Sequence, residues 1–426
     1  MRLRRTVLGR RRWRGCARWD PAAEPPSSPT SSATPSAASA ILRRSSCWSI
    51  CRLLTCTDLC YDNDNALCFC LQVAETSGPD KEIVGLIRGC IKTVTCGQKT
   101  YRRLATGDGG DKDDAVVELA APVYTKAGYI LGLRVSPCQR RMGIGMKLVR
   151  RMEGWFCSNG AEYAYMATDN DNEASLRLFT ERCNYKKFRT PAILVQPVFA
   201  HRLPLSRRST VIRLCPAEAE TLYRRRFSTT EFFPRDIDAI LRNNLSLGTF
   251  LAFPADCPAA ASWTGVGGFL ADPPASWAIL SVWDSKSVFH LEVRGAPLLW
   301  RSLAWTTRAV DRVLPWLRIP SIPNIFRPFG CYFLYGIGGE GPLSANFLRA
   351  LCRYAHNLAR AGGCGVVATE VAASEPLMAG IPHWRSLSSA DVWCIKRLAE
   401  DYCDGAVGDW TKSPAGSSLF VDPREV

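Results

Sequence analysis

Between Tyr129 and Met146 the residues could dock a phosphorylated ligand. An apolar run, Tyr129-Ile-Leu-Gly-Leu-Arg-Val135, leads directly into Ser-Pro-Cys-Gln-Arg-Arg-Met-Gly-Ile-Gly145. The first part has the composition of a strand, and the residues after Gly143 recur at helical spacing, so a basic turn sits where a strand feeds a helix. A helix start presents backbone N–H groups with no intrahelical acceptor at the positive end of the macrodipole, which suits a pyrophosphate. Gly143 and Gly145 have no side chain to hold phosphate oxygens off those amides, and Arg140 and Arg141 add positive charge. The spacing is neither Gly-x-x-x-x-Gly-Lys-Ser/Thr nor Gly-x-Gly-x-x-Gly, which argues against an NTPase loop and a dinucleotide turn.

The turn resembles the Arg/Gln-x-x-Gly-x-Gly/Ala signature of the GCN5-related N-acetyltransferase (GNAT) superfamily, with Arg140, Gly143 and Gly145 in its defining positions. Four further segments, residues 83–97, 184–191, 227–236 and 405–414, resemble the plant HOOKLESS-type N-acetyltransferases, and the resemblance spans roughly residues 72–426. It implies acetyl-CoA as cosubstrate and an amine acceptor, a protein lysine or N-terminus among the candidates. It also implies a role in plant differential growth under ethylene and auxin signalling. Residue by residue, it gives the pantetheine contacts to the backbone of Leu133 and Val135, flanking Arg134. The pyrophosphate cradle falls to Arg140 and the amides of Arg141, Met142, Gly143, Ile144, Gly145 and Met146. Asn172 matches an Asn that caps the next helix and faces the pantetheine; a plain N-cap is an equal reading, and the two are compatible.

Many superfamily members carry Leu-Tyr in that helix, the Tyr serving as general acid, but this chain has Leu178-Phe179. Phe cannot donate a proton, so another group serves, the thiolate leaves unaided, or catalysis is weak. Two weak base candidates stand out. Tyr129 shares a strand face with Leu131 and Leu133, and a packed core tyrosine is the competing reading. Glu231 lies in Thr229-Thr-Glu-Phe-Phe-Pro234, where a helix cap or an interdomain support competes. A non-catalytic binding protein on the same fold remains the alternative to an enzyme.

The elements that must position these residues read as an α/β (α+β) fold of GNAT type, with a mixed, mostly antiparallel sheet. Residues 1–70 combine an Arg-rich start with a Pro/Ser-rich stretch from Pro25 to Ala40, too polar to build a core, and read as disordered or divergent. A transit-like leader and a divergent first exon are both open there. The acetyltransferase domain is expected over 71–202. It holds a strand from Ile83, a polar loop over 107–114, the strand at 129–135 and a helix over 143–159. A strand at 162–168, a helix at 172–182 and a last strand at 193–198 complete it. After a linker at 203–208, residues 209–426 repeat the order: strand 332–335, a glycine turn at 336–341, helix 343–361 and strand 365–371. That half is expected to be a degenerate GNAT-like domain without a coenzyme site, because its turn lacks basic residues and contains Glu340.

The 426 residues carry a net charge of +15, but +9 of it lies in residues 1–57. The remaining +6 gives little support to a nucleic-acid partner. The 19 cysteines are odd in number and scattered, pointing to a reduced intracellular compartment, nucleus or cytoplasm. The four histidines have no metal-ligand spacing, so no metal is expected, and no stretch reads as a membrane span. Six tryptophans between Trp263 and Trp316 read as core and interface packing, with a binding groove as the alternative.

Overall fold

The computed structural model describes residues 2–7, 51–59, 68–76, 81–104, 116–294, 296–323, 325–399 and 408–425. Strands β1 (Arg2–Val7), β2 (Cys51–Leu59), β3 (Cys68–Thr76), β4 (Ile83–Leu104) and β5 (Val116–Val135) precede helix α1 (Ile144–Ser158). β6 (Tyr163–Asp169), the short α2 (Glu173–Arg177), β7 (Lys186–Arg189) and β8 (Ala192–Pro197) complete the first half. The second half runs β9 (Ser209–Leu214), α3 (Pro216–Arg226), β10 (Ser246–Pro254), β11 (Trp277–Asp284), β12 (Phe289–Arg294) and α4 (Leu298–Val313). It continues with β13 (Gly330–Glu340), α5 (Ser344–Ala361), β14 (Cys364–Val371) and β15 (Ser389–Arg397). All strands except β1 and β12, which pair with each other, join one 13-stranded sheet.

α1 forms as its spacing predicts. Ile144, Leu148, Val149, Met152 and Phe156 fall on one face and are buried against β4 and β5. Two glycines on those strands make room for them: a Cβ at Gly128 would lie 2.5 Å from the Phe156 ring, and one at Gly89 2.8 Å from Met152 Sδ. β5 and β6, joined through α1, pair in parallel, and so do β13 and β14, joined through α5. The second half therefore repeats the strand–helix–strand unit of the first.

The halves exchange strands. β8 pairs with β14 of the second half, from Ala192 opposite Val371 to Pro197 opposite Val366. In return β15 pairs with β6, from Asp391 opposite Asp169 to Arg397 opposite Tyr163. Only Ser389 and Ala390 of β15 touch β8, where the two half-sheets join. The linker at 203–208 is a division along the chain, whereas in space each half is completed by the other.

Three features differ from the sequence expectation. β1, β2, and β3 from Cys68, form within the stretch read as lacking a core, and Cys70 and Ala74 of β3 are buried under α1. The glycines at 336–339 do not form a turn; β13 runs through them to Glu340. They are small because α3 and β11 lie close: a Cβ at Gly338 would sit 2.4 Å from Phe227, and one at Gly339 2.7 Å from the Trp277 carbonyl. Finally, the helix expected to reach residue 182 ends its α-helical part at Arg177 and continues as a single π-helical turn over Leu178–Arg182. The expected loop at 107–114 and the sequence from 8 to 50 lie outside the described residues.

Candidate active site

The candidate coenzyme groove begins at a register slip. Arg88 lies opposite Gly132 and Gly89 opposite Ile130, so Leu131 is an extra residue on β5. A bulge bends its strand, and the parallel pairing with β6 stops beside it, at Ile130 opposite Met166. From there β5 and β6 part. The Ser136 amide donates to the Val84 carbonyl at 2.8 Å. By the two-residue alternation, Arg134 also faces β4, while Leu133 and Val135 turn their peptide groups to the open side. Arg134 thus contributes no amide to the groove. Arg140 Nε donates to the Val135 carbonyl at 3.4 Å, drawing the basic turn against the end of β5.

At the turn, Arg141 (φ 64°) and Gly143 (φ 80°) are left-handed, and Gly143 is the N-cap of α1. Helix geometry leaves the amides of Ile144, Gly145 and Met146 without intrahelical acceptors. A Cβ on Gly143 would meet nothing within 4 Å, so the space over this helix start is open. A Cβ on Gly145 would make ordinary contacts of 3.4–3.7 Å with Leu178, Leu133 and Val135. Ile144 is buried in the core and anchors the turn, while Arg140, Arg141 and Met142 are exposed. Asn172 caps α2: its Oδ1 accepts from the Ser175 amide (3.3 Å) and its Nδ2 donates to Thr168 Oγ1 (2.9 Å).

Where β5 and β6 part, a cavity of about 330 Å³ opens between the halves. Tyr129, Leu131 and Ala167 line it from the first half, and Leu291, Phe333 and Ala368 are among the apolar residues facing them. Three carboxylates also line it: Glu370 of β14, Asp391 of β15 and Glu425. Burial, reinforced by Asp391, pushes the Glu370 carboxyl up to about 8, although Trp393 Nε1 donates to its Oε1 at 2.9 Å. Burial and the neighbouring Asp169 push Asp391 up to about 6. Tyr129 stacks on Tyr165, centroids 4.5 Å apart, and burial raises both phenols well above their usual range, so both stay protonated.

Glu425 belongs to a tail that plugs the first half. Lys92, 4% exposed, pairs with Glu425, and the Tyr165 hydroxyl donates to the same carboxylate oxygen at 2.9 Å. The residue before it, Arg424, binds Asp236 and Asp422, each through an N···O contact of 2.6 Å. Glu231 proves to be the tail's clamp. It takes two hydrogen bonds from Arg189 (2.6 and 2.9 Å) and one from Trp410 Nε1 (2.8 Å), and its carbonyl accepts from the Phe420 amide.

Of the sequence candidates, the structure brings Tyr129 beside Leu131 at the mouth of the groove and sends Glu231 elsewhere. Phe179 is 1% exposed, its ring packed edge-on against Tyr185, so it is a core residue. Sequence reasoning missed Lys92, Tyr165, Glu370, Asp391 and Glu425. Glu370 did carry a signal, as the single charge in the apolar strand Gly365-Val-Val-Ala-Thr-Glu-Val371. Among the described residues no group of His, Cys, Asp or Glu could hold a metal, and no helix is long and apolar enough to cross a membrane. Trp277 and Trp283 are buried as expected, whereas Trp300, Trp305 and Trp316 are exposed.

The second half's counterpart of the phosphate turn is closed. The Leu343 amide at the start of α5 donates to Ser276 Oγ at 3.1 Å, and Glu340 pairs with Arg226 at 3.5 Å. An anion approaching there meets a used amide and a carboxylate.

The family model described as "Acetyltransferase (GNAT) family" matches residues 43–185, which span the bulged strand, the glycine turn and α1. The chain is 61% identical over 362 residues to "Probable N-acetyltransferase HLS1-like" of Arabidopsis thaliana, covering 84% of this chain and 87% of that protein. "Probable N-acetyltransferase HLS1" of the same plant is 61% identical over 361 residues, with the same coverage. "Acetyl transferase GW6a" of Oryza sativa subsp. japonica is 44% identical over 351 residues, 81% of this chain and 74% of that one. With most of its length shared with these proteins and the splayed strand and glycine turn in place, the chain belongs to the GNAT acetyltransferase family.

Proposed function

We propose that the chain transfers the acetyl group of acetyl-CoA to a primary amine entering the cavity between its halves, with Glu370 as base and Tyr129 as proton donor. The observation that carries this reading is the parting of β5 and β6 at Leu131, which leads from the proposed coenzyme groove into a cavity holding a carboxyl that burial pushes up to about 8. Acetyl-CoA, when bound, supplies an activated thioester carbonyl. The amides of Leu133 and Val135 orient the pantetheine and polarise that carbonyl, and the amides at the start of α1 hold the pyrophosphate. The ionised fraction of Glu370, which grows as pH rises toward and above about 8, takes the proton from the incoming ammonium so that the free amine can attack. Tyr129, protonated throughout the neutral range, gives its proton to the departing sulfur and takes back the second proton that the acylated nitrogen must lose. The apolar lining suits an amine on an apolar stem, such as a lysine side chain. Its setting, by the HOOKLESS-type resemblance, is control of differential growth in a plant.

Labelled acetyl-CoA offered to lysine peptides and free amines tests the chemistry. Transfer is expected, and Gly143→Glu and Gly145→Glu should each cost ~3 kcal/mol of acetyl-CoA binding, more than a hundredfold. Binding that survives both substitutions in folded protein overturns the coenzyme site. The core position of Phe179 favours a second reading, a coenzyme-binding regulator without turnover. Acetyl-CoA binding that depends on Gly143, with no transfer to any amine, selects it.

A further inference from the structure

On the far side of β12 from the acceptor cavity lies a second, larger pocket of about 700 Å³. Phe289, Leu291 and Val293 face the cavity, whereas His290, between them, faces this pocket. Its charged lining is Lys286, Arg301, Arg308, Arg312 and Arg327, with His290, and no carboxylate lines it. Asp311, the acid on the same helix, spends its oxygens on His201 (2.7 Å), the Ala200 amide (2.8 Å) and Ser321.

Two of the cations are fixed from behind. Lys286 Nζ donates to the Gly362 carbonyl at 2.6 Å, and Arg308 Nη1 to the Val198 carbonyl at 2.5 Å. Arg301, Arg312 and Arg327 stand exposed around them. Burial and the like charge of Arg312 lower the Arg308 pKa, as uncompensated cations held together require. Gly363 gives the wall a bare stretch of backbone, since a Cβ there would meet nothing within 4 Å. His290 Nδ1 is buried and has no hydrogen-bond partner among the described residues.

From this arrangement we infer that the pocket between α4, β12 and the start of β14 is a binding site for clustered phosphoryl groups. Five positive charges in one concavity exceed what a single carboxylate can neutralise, and guanidinium forks match phosphate oxygens in pairs. The volume holds a small polyphosphate, borne either on a soluble molecule or on a lipid headgroup. Exposed apolar side chains on α4, Leu298, Leu299, Trp300 and Trp305, lie next to the pocket, so the lipid-borne form is tested separately.

The test uses the full chain carrying Gly143→Glu, which silences the coenzyme turn. Calorimetry with inorganic tripolyphosphate, and sedimentation with phosphatidylcholine vesicles containing phosphatidylinositol bisphosphate, form the two arms. Binding is expected in at least one, and the arm that binds names the source. Arg301→Ser combined with Arg312→Ser, both at exposed positions, should weaken that binding at least about tenfold without changing the melting temperature. No binding in either arm, or binding indifferent to the two serines, overturns the site. An oligothymidylate that binds more tightly than tripolyphosphate at equal phosphate concentration also overturns it, in favour of nucleic acid.

Discussion

Glu370 is a carboxyl whose proposed role as base and whose burial pull in opposite directions. As a base it must shed its proton, and as a buried group it is held neutral, so burial lifts it to about 8. The sign for stability follows. The native state keeps a proton that the unfolded chain releases near pH 4.3. Its stability contribution is therefore intact in acid and is lost as pH rises through about 8. Glu370→Gln should abolish that loss, so the variant should melt higher than the parent at pH 9 and much like it below pH 5. The same substitution keeps an oxygen for Trp393 but removes the base, and kcat should fall about 10²- to 10⁴-fold. Melts across pH together with steady-state rates check both halves; a fully active Glu370→Gln enzyme sinks the assignment. The left-handed glycine turn at the start of α1 was legible at this scale because its physics is local: two glycines and two arginines at a helix start. The proposed base was not, because a lone glutamate in an apolar strand does not reveal which cavity its strand will border.

At the scale of elements, the tail from Leu419 to Glu425 completes the first half's core. Its last carboxylate is the counter-charge of Lys92, which is buried beneath the rings of Tyr129, Tyr165 and Phe232. Glu425→Gln leaves that cation buried and unpaired and should cost about 3–5 kcal/mol, read by urea unfolding. Lys92→Met combined with Glu425→Leu should recover most of the loss, since an apolar pair of similar size leaves no charge to desolvate. Equal stability of parent and Glu425→Gln would show that the pair contributes nothing. Helical spacing placed α1 to within a residue and the strand pattern placed β6 equally well, but it caught only the start of β4 and the last third of β5, which begins at Val116. The glycines of β13 misled because sequence shows that a side chain is missing, not what occupies its space. At Gly143 that space is open, and at Gly338 it holds the Phe227 ring. β2 hid within a stretch whose Arg- and Pro-rich beginning masked its own alternation.

The whole molecule is held together by the exchange of β8 for β15, which no local pattern announces. A strand's alternation says that it is a strand and leaves its partner unspecified. The repeat of strand, helix and strand at 129–168 and 332–371 was readable, so the likeness of the halves was expected, but not their mutual dependence. That dependence is testable by cutting the chain. A fragment ending at Arg202 keeps the bulge, the glycine turn and α1, yet loses β15 from beside β6 and leaves β8 with no sheet to join. It also loses Glu425 against Lys92. Such a fragment should fail to unfold cooperatively and should not bind acetyl-CoA, although every predicted coenzyme contact lies within it. Co-expressed with residues 203–426, it should recover both properties, because all the exchanged pairings re-form between the two pieces. A fragment that melts cooperatively and binds coenzyme alone would show that the first half is a self-sufficient domain and the exchange an accessory. The expected outcome ties function to the exchange: Glu370 and Asp391 reach the cavity on β14 and β15, so even a first half that did bind coenzyme would lack the proposed base.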